Sequence, residues 1–156
     1  MEIRSATPKD SLTLSALCRD VQNLHAERHP RVFKMPQSDD FAVEFFDETL
    51  ASAEFTAYIA EEDGRPLGYI LCRMVDRPEN AFTHAARYLF IDQISVRPNA
   101  QRKGIGTALL KKAEELAREL GLSKLQLDFW DFNLEAHNCF EKFVFEKFNY
   151  RFWKTI

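Results

Sequence analysis

The sequence predicts a single α/β domain in which a mixed, mostly antiparallel sheet is flanked by helices. Three observations carry the prediction: a helix-period stretch near the N-terminus, three strand-like runs in succession through the middle, and a strand, glycine turn and helix between residues 94 and 120. The chain has 156 residues, with 46% hydrophobic and 13% aromatic content, which is the size of one domain and enough to fill a core.

Residues Glu2 to Ala6 read as a short edge strand. Thr7 is a natural N-cap, Pro8 loses nothing by lacking an N–H at the first helical position, and Asp10 supplies an acidic third position. Leu14, Leu17, Cys18, Val21 and Leu24 then recur at helical spacing to about His25. His29-Pro30 ends this helix, and residues 31–36 form an irregular or short helical connection, because proline pushes its predecessor out of the helical region. A second helix is expected from about Asp39 to Ala53. Phe55 to Ala60 and Leu67 to Val75 read as a hairpin around the turn residues 62–66, and a third strand runs from about Arg87 to Val96, completing an antiparallel meander.

Strict alternation in that third strand would bury the carboxylate of Asp92 beside Ile94 and Val96. A one-residue bulge near Asp92-Gln93 removes the conflict. It leaves Leu89, Ile91, Ile94 and Val96 facing the core and turns Tyr88, Phe90 and Asp92 to the opposite face. After the glycine turn, Ile105, Leu109, Ala113, Leu116 and Leu120 mark an amphipathic helix that Gly121 caps. Leu125, Leu127 and Phe129 alternate as a strand, and Asn133 is a good N-cap for a last helix holding Ala136, Phe140, Phe143 and Val144. The tail from Phe145 to Ile156 alternates Phe148, Tyr150 and Phe152 like a strand, which either closes the sheet or also joins a partner subunit in a homodimer.

A net charge of -3 gives no global field for nucleic acid, and the basic residues Arg97, Arg102, Lys103, Lys111 and Lys112 gather locally around the glycine turn, where they suit a small polyanion. The three cysteines, Cys18, Cys72 and Cys139, have no metal-ligand or paired spacing, so reduced thiols in the cytoplasm and no metal site are expected. The sequence starts directly into structure, without a signal-like or membrane-spanning run, and no membrane partner is expected.

The stretch Gln101-Arg102-Lys103-Gly104-Ile105-Gly106-Thr107 has the chemistry of a phosphate cradle: glycines permit close approach, and the free N–H groups of a helix start point outward. A dinucleotide fingerprint would need a small residue at Leu109, and a P-loop would need Gly-Lys-Ser/Thr after four spacers. Neither fits. The pattern Q/R-x-x-G-x-G/A does, and it resembles the acetyl-CoA signature of the GNAT superfamily of N-acetyltransferases. Ile94-Ser95-Val96-Arg97-Pro98 before it, Ala108-Leu109-Leu110 after it and Asn133-x-x-Ala136 later extend the resemblance over roughly residues 54 to 148.

The resemblance implies a GNAT-like fold with central strands splayed apart, acetyl-CoA as co-substrate and transfer of its acetyl group to the primary amine of a small molecule or protein. It assigns the pyrophosphate to the backbone N–H groups of Arg102, Lys103, Gly104, Ile105 and Gly106, with Thr107 nearby and Gln101 opening the cofactor motif, and the pantetheine arm to Ile94, Ser95, Val96 and Asn133. Asp92 is the leading general base, with His25, His29 and His84 behind it. The acceptor site falls within residues 19–46, where Glu27, Asp39, Asp40, Glu44 and Asp47 in and beside it would attract a cationic amine. One departure stands out. Family helices of this kind read N-x-x-A-x-x-x-Y-x-x-x-G-F, and this chain has Phe140 for the tyrosine that serves as acid and Val144 for the glycine. A slow enzyme with Phe140 beside the acyl sulfur is one expectation, with Cys139, His137 or Tyr150 as substitute acids. A non-catalytic acyl-CoA-binding module is the other.

Overall fold

A computed structural model describes residues 1–156. Five strands form one sheet in sequence order: β1 (Glu2–Ser5), β2 (Phe55–Glu62), β3 (Arg65–Arg77), β4 (Ala86–Val96) and β5 (Leu125–Leu127). The first four run antiparallel and β5 joins β4 in parallel, so the sheet is mixed as expected. Helices α1 (Ser11–Arg28) and α2 (Val43–Ala51) cover one face, while α3 (Ile105–Glu119) and α4 (Leu134–Lys142) cover the other.

Strand alternation sorts the core into these two layers. Along β3, Tyr69 and Leu71 pack with Leu14, Leu17 and Phe46 under α1 and α2. Their neighbours Ile70 and Cys72 pack with Leu109, Leu110 and Ala113 under α3. Burying each large aliphatic side chain of these layers stabilises the fold by roughly 1.5–3 kcal/mol. The β2–β3 hairpin turns on Asp63 (φ 52°) and Gly64 (φ 71°), the left-handed pair that a two-residue loop requires. Asp10 accepts from the Thr7 N–H at 2.8 Å and takes the Arg4 guanidinium on both oxygens (2.8 and 3.1 Å), which lowers its carboxyl below the usual range and ties β1 to α1.

Four expectations change. β5 stops at Leu127 and leaves Phe129 outside it, and α4 ends at Lys142, before Phe143 and Val144, which form its cap. The second helix begins at Val43 instead of Asp39, because residues 39–42 are turns, with Asp39 drawn to Arg19 at 2.7 Å. The tail forms no strand: residues 146–156 lie outside any helix or strand, and Phe148 and Phe152 are 74% and 88% exposed. Alternation alone does not make a strand, and β5, only three residues long, offers little edge to pair with. No helix is long and apolar enough to cross a membrane.

The two α-helices of the second layer end in the same way with different residues. After α3, Leu122 N–H donates to Ala117 O and Gly121 N–H to Arg118 O, with Gly121 at φ 67°. After α4, Phe145 N–H donates to Phe140 O and Val144 N–H to Glu141 O, with Val144 at φ 64°. Both are Schellman caps, and in the second a β-branched residue occupies the left-handed position that normally takes glycine. Val144 is 82% exposed, so its side chain gains little packing to offset a strain of roughly 1–2 kcal/mol. Val144→Gly is expected to stabilise the protein by about 1 kcal/mol and raise Tm by about 2–4 °C, measured by thermal and denaturant unfolding. An unchanged or lowered Tm would show that the cap is unstrained.

Candidate functional site

The bulge expected in the third strand of the meander is present. Leu71 pairs with Gln93 and Cys72 with Ile91, so Asp92 is the extra residue of β4. Its consequence is a switch of backbone direction. Before the bulge, Leu89 N–H points toward β5 and bonds Lys124 O at 3.0 Å. After it, Arg97 N–H bonds Leu67 O at 2.8 Å on the β3 side, and alternation turns the N–H groups of Ile94 and Val96 the other way. β5 pairs with β4 only across Leu89–Ile91, so those groups face a gap where the two strands part.

Close approach of β3 holds the end of β4 in place. Gly68 faces Val96, and a β-carbon on Gly68 would meet Ser95 O at 2.7 Å and Val96 Cα at 3.2 Å. Gly68 carries no sequence motif, which is why sequence reading passes over it. Ser95 donates its hydroxyl to Leu17 O at 3.0 Å and is only 6% exposed, so its side chain pins β4 to α1 and does not reach the gap.

The glycine turn lies at one end of the gap. Gln101 Nε2 donates to Val96 O at 3.1 Å, fastening the loop to the strand end. Arg102 (φ 60°) and Gly104 (φ 82°) are both left-handed, and the first bond of α3 runs from Ala108 N–H to Gly104 O. The N–H groups of residues 102–107 therefore have no partner within the protein, and a run of free donors at a helix start is suited to an anion. A β-carbon at Gly104 would meet nothing in the protein, so the glycine there serves the backbone angle and leaves open the space a ligand would use. At Gly106 the added carbon would stand 3.6 Å from Cys139 Sγ, an ordinary contact that places α4 against the start of α3. Arg102, Lys103 and Thr107 are exposed, and Lys103 borders a small cleft of ≈ 230 Å³ beside Met1 and Glu62. Lys112 turns away to Glu115 at 3.0 Å and the Tyr58 ring, leaving the basic patch smaller than its sequence count.

Asn133 caps α4, its Oδ1 accepting from Ala136 N–H at 3.1 Å. Phe140 is 5% exposed and packed 5.4 Å from Phe129 and 5.9 Å from Phe145, ring centre to ring centre, in the α3-side core. These two rings and the surrounding core account for its burial. Asp92 forms a two-point pair with Arg73 (Nε–Oδ2 3.0 Å, Nη2–Oδ1 3.2 Å), and the guanidinium also lies over the rings of Phe55 and Phe90. Each carboxylate oxygen keeps a second lone pair for a further donor. His25 stacks on Phe33 at 4.8 Å, and burial, helped by nearby His29, lowers its pKa and favours the neutral imidazole. His29 joins the same aromatic group through Trp130 and Phe132, while His84 is fully exposed beside Glu79. No cluster of His, Cys, Asp or Glu has the geometry to hold a metal ion.

The profile of the Acetyltransferase (GNAT) family matches residues 18–145. The chain is 31% identical over 113 residues to a streptothricin acetyltransferase A of Bacillus subtilis (strain 168), covering 72% of this chain and 58% of that protein. It is 27% identical over 146 residues to an aminoglycoside N(6')-acetyltransferase type 1 of Stenotrophomonas maltophilia, covering 93% of this chain and 86% of that one. The chain thus spans little more than half the length of the first relative. Among solved structures, a tetramutant of the BH1408 protein of Bacillus halodurans superposes with TM-score 0.93 at 16% identity over 100% of both chains. A predicted acetyltransferase of Clostridium acetobutylicum, crystallised with acetyl-CoA, superposes with TM-score 0.74 at 20% identity over 99% of this chain and 95% of that one.

Gly68→Ala is expected to push the Ser95–Val96 backbone out of place, since the clash is with main chain and cannot be relieved by a rotamer. Stability should fall by about 1–3 kcal/mol, read by denaturant unfolding of the variant. Wild-type stability in Gly68→Ala would mean that the strand end does not depend on this contact.

Proposed function

The chain belongs to the GNAT family of acetyltransferases, and on that premise we propose that it transfers the acetyl group of acetyl-CoA to a primary amine. The observation that carries the proposal is the gap between β4 and β5, lined by the free N–H groups of Ile94 and Val96 and closed at one end by the N–H cradle of residues 102–107. The cradle suits the pyrophosphate, with Arg102 at its mouth. The β4 groups suit the pantetheine arm and the thioester oxygen, whose charge grows as the amine adds to the carbonyl carbon. Asn133, whose Oδ1 accepts the helix-cap bond, has its Nδ2 amide and a second Oδ1 lone pair to offer that arm.

An amine with a pKa of about 10 must lose a proton before it attacks. Asp92 is the proposed acceptor of that proton, directly or through water, and Arg73 fixes its carboxylate in place. The tetrahedral adduct then loses its remaining ammonium proton to solvent and collapses: the C–N bond remains, the C–S bond breaks and the pair leaves on sulfur. With Phe140 in the core instead of a tyrosine acid, the thiolate departs unprotonated. For an ordinary thiol of pKa near 8.5 that costs about 2 kcal/mol at pH 7, which slows the reaction without preventing it. On the same reading residues 1–156 act as one acetyltransferase-like domain in the cytoplasm, with the exposed aromatic tail available to a second copy in a homodimer. The test is thiol release and product mass with acetyl-CoA and a panel of amines. Tight acetyl-CoA binding with no turnover of any amine would favour the non-catalytic module.

Asp92→Asn is expected to lower kcat by roughly 10² to 10⁴ and to remove the acidic limb of the pH profile. Arg73→Gln, which breaks the same ion pair but keeps the carboxylate, should retain most of kcat. Equal losses in the two variants would assign the pair a structural role and give the proton to another group.

A further inference from the structure

Beside the gap, α1, the α1–α2 connection and α2 border a cavity, open to solvent, of ≈ 610 Å³, within the usual range for a small-ligand site. Its walls are apolar: Val32, Met35, Phe41 and Phe45 expose 37–46% of their surface in its lining, an unusual concentration of large apolar groups. Phe33 completes the wall and is held by stacking on His25 at 4.8 Å and against Trp130 at 5.0 Å, so that this side is preorganised.

No carboxylate lines this cavity. The acidic residues expected to draw a cationic amine are elsewhere: Asp39 is paired with Arg19, Asp40 takes the Ser38 hydroxyl, and Glu27, Glu44 and Asp47 are exposed off the lining. The lining offers neutral amides instead: Gln22 and Gln37 donate to Lys34 O and Met35 O, so their carbonyl oxygens face the cavity as acceptors, and Gln93 contributes a donor. Gln93 forms the floor, and its Oε1 accepts from the Tyr69 hydroxyl at 2.6 Å and more weakly from the Cys18 thiol at 3.9 Å. Tyr69 is fully buried, and burial keeps both of these groups protonated and hence donors. Two donors converging on Oε1 fix the amide, and its Nε2 has no acceptor in the protein. Lys34 adds a second donor with no carboxylate partner.

We infer that the acceptor is the α-amino group of an apolar amino acid, free or at the start of a peptide, whose side chain fills the cavity and whose carbonyl or carboxylate oxygen takes the Gln93 amide. This rests on the acetyltransfer reading above and names its substrate class. The requirement for an oxygen close to the amine comes from position: Gln93 immediately precedes Ile94, whose free N–H faces the gap where the thioester is placed. A polycation such as an aminosugar would find no anion in the lining, and its ammonium groups could offer the Gln93 amide no acceptor.

The experiment compares phenylalanine, phenylalaninamide, a phenylalanyl dipeptide, phenethylamine, spermidine and kanamycin as acceptors with acetyl-CoA. Phenylalaninamide or one of its two congeners should exceed both polycations at least tenfold in kcat/KM, and the preferred member identifies a free amino acid or a peptide end as the source. Gln93→Glu keeps the shape and the Tyr69 bond but turns the donor into an acceptor. It should lower kcat/KM for phenylalaninamide at least tenfold more than for phenethylamine, which lacks the oxygen. Preference for kanamycin or spermidine, or equal losses for the two arylalkyl amines, overturns the inference. If no amine is acetylated although acetyl-CoA binds, the transfer reading fails, and line broadening of phenylalaninamide in NMR decides the cavity separately: binding lost in Gln93→Glu upholds it, and absence of binding to the wild type overturns it.

Discussion

The extra residue at Asp92 is the constraint on which the rest of the site depends. A sheet in perfect register would give β4 one bonding direction for each parity of residue, and β5 could then run alongside it to the end. The bulge reverses the parity between Ile91 and Gln93. Apolar side chains stay on the α3 side both before it (Leu89, Ile91) and after it (Ile94, Val96), and the bonding groups of the second half turn into an open gap. One inserted residue thus reconciles a continuous core with a strand whose backbone is free to bind.

A displaced strand end needs anchoring, and three contacts from three directions supply it. Gly68 admits the β3 backbone at a distance no side chain would allow, the Ser95 hydroxyl reaches across to Leu17 O on α1, and Gln101 ties the following loop back to Val96 O. Together they relate the anion cradle at the start of α3 to the open edge of β4. The bulged residue itself projects onto the α1 side and carries charge, which is tolerable there because the Arg73 guanidinium meets both of its oxygens.

The two faces of the sheet divide the work. On the α3 side, Leu109, Leu110, Ala113 and Phe140 form a closed core, and at the α4 cap the β-branched Val144 holds a left-handed conformation. The α1 side has a smaller core, and its helices leave a concave apolar surface between them.

Sequence alone determined the elements whose signals are local. The meander, the Asp-Gly hairpin, the Asn133 and Gly121 caps, the amphipathic α3 and the glycine turn depend on periodicity and on single residues with special backbone preferences. Even the bulge was legible, because the conflict between a carboxylate at Asp92 and the apolar alternation around it is a one-dimensional fact. What only the tertiary structure decided depends on partners distant in sequence. Gly68 matters through Ser95 and Val96, Asp92 has its charge met by Arg73, Gln93 gains its orientation from Tyr69 and Cys18, and the acidic residues near α2 are drawn away from the cavity or left outside it. The tail shows the same limit: its alternating aromatics have the pattern of a strand, but a strand exists only where another edge bonds to it, and none does here.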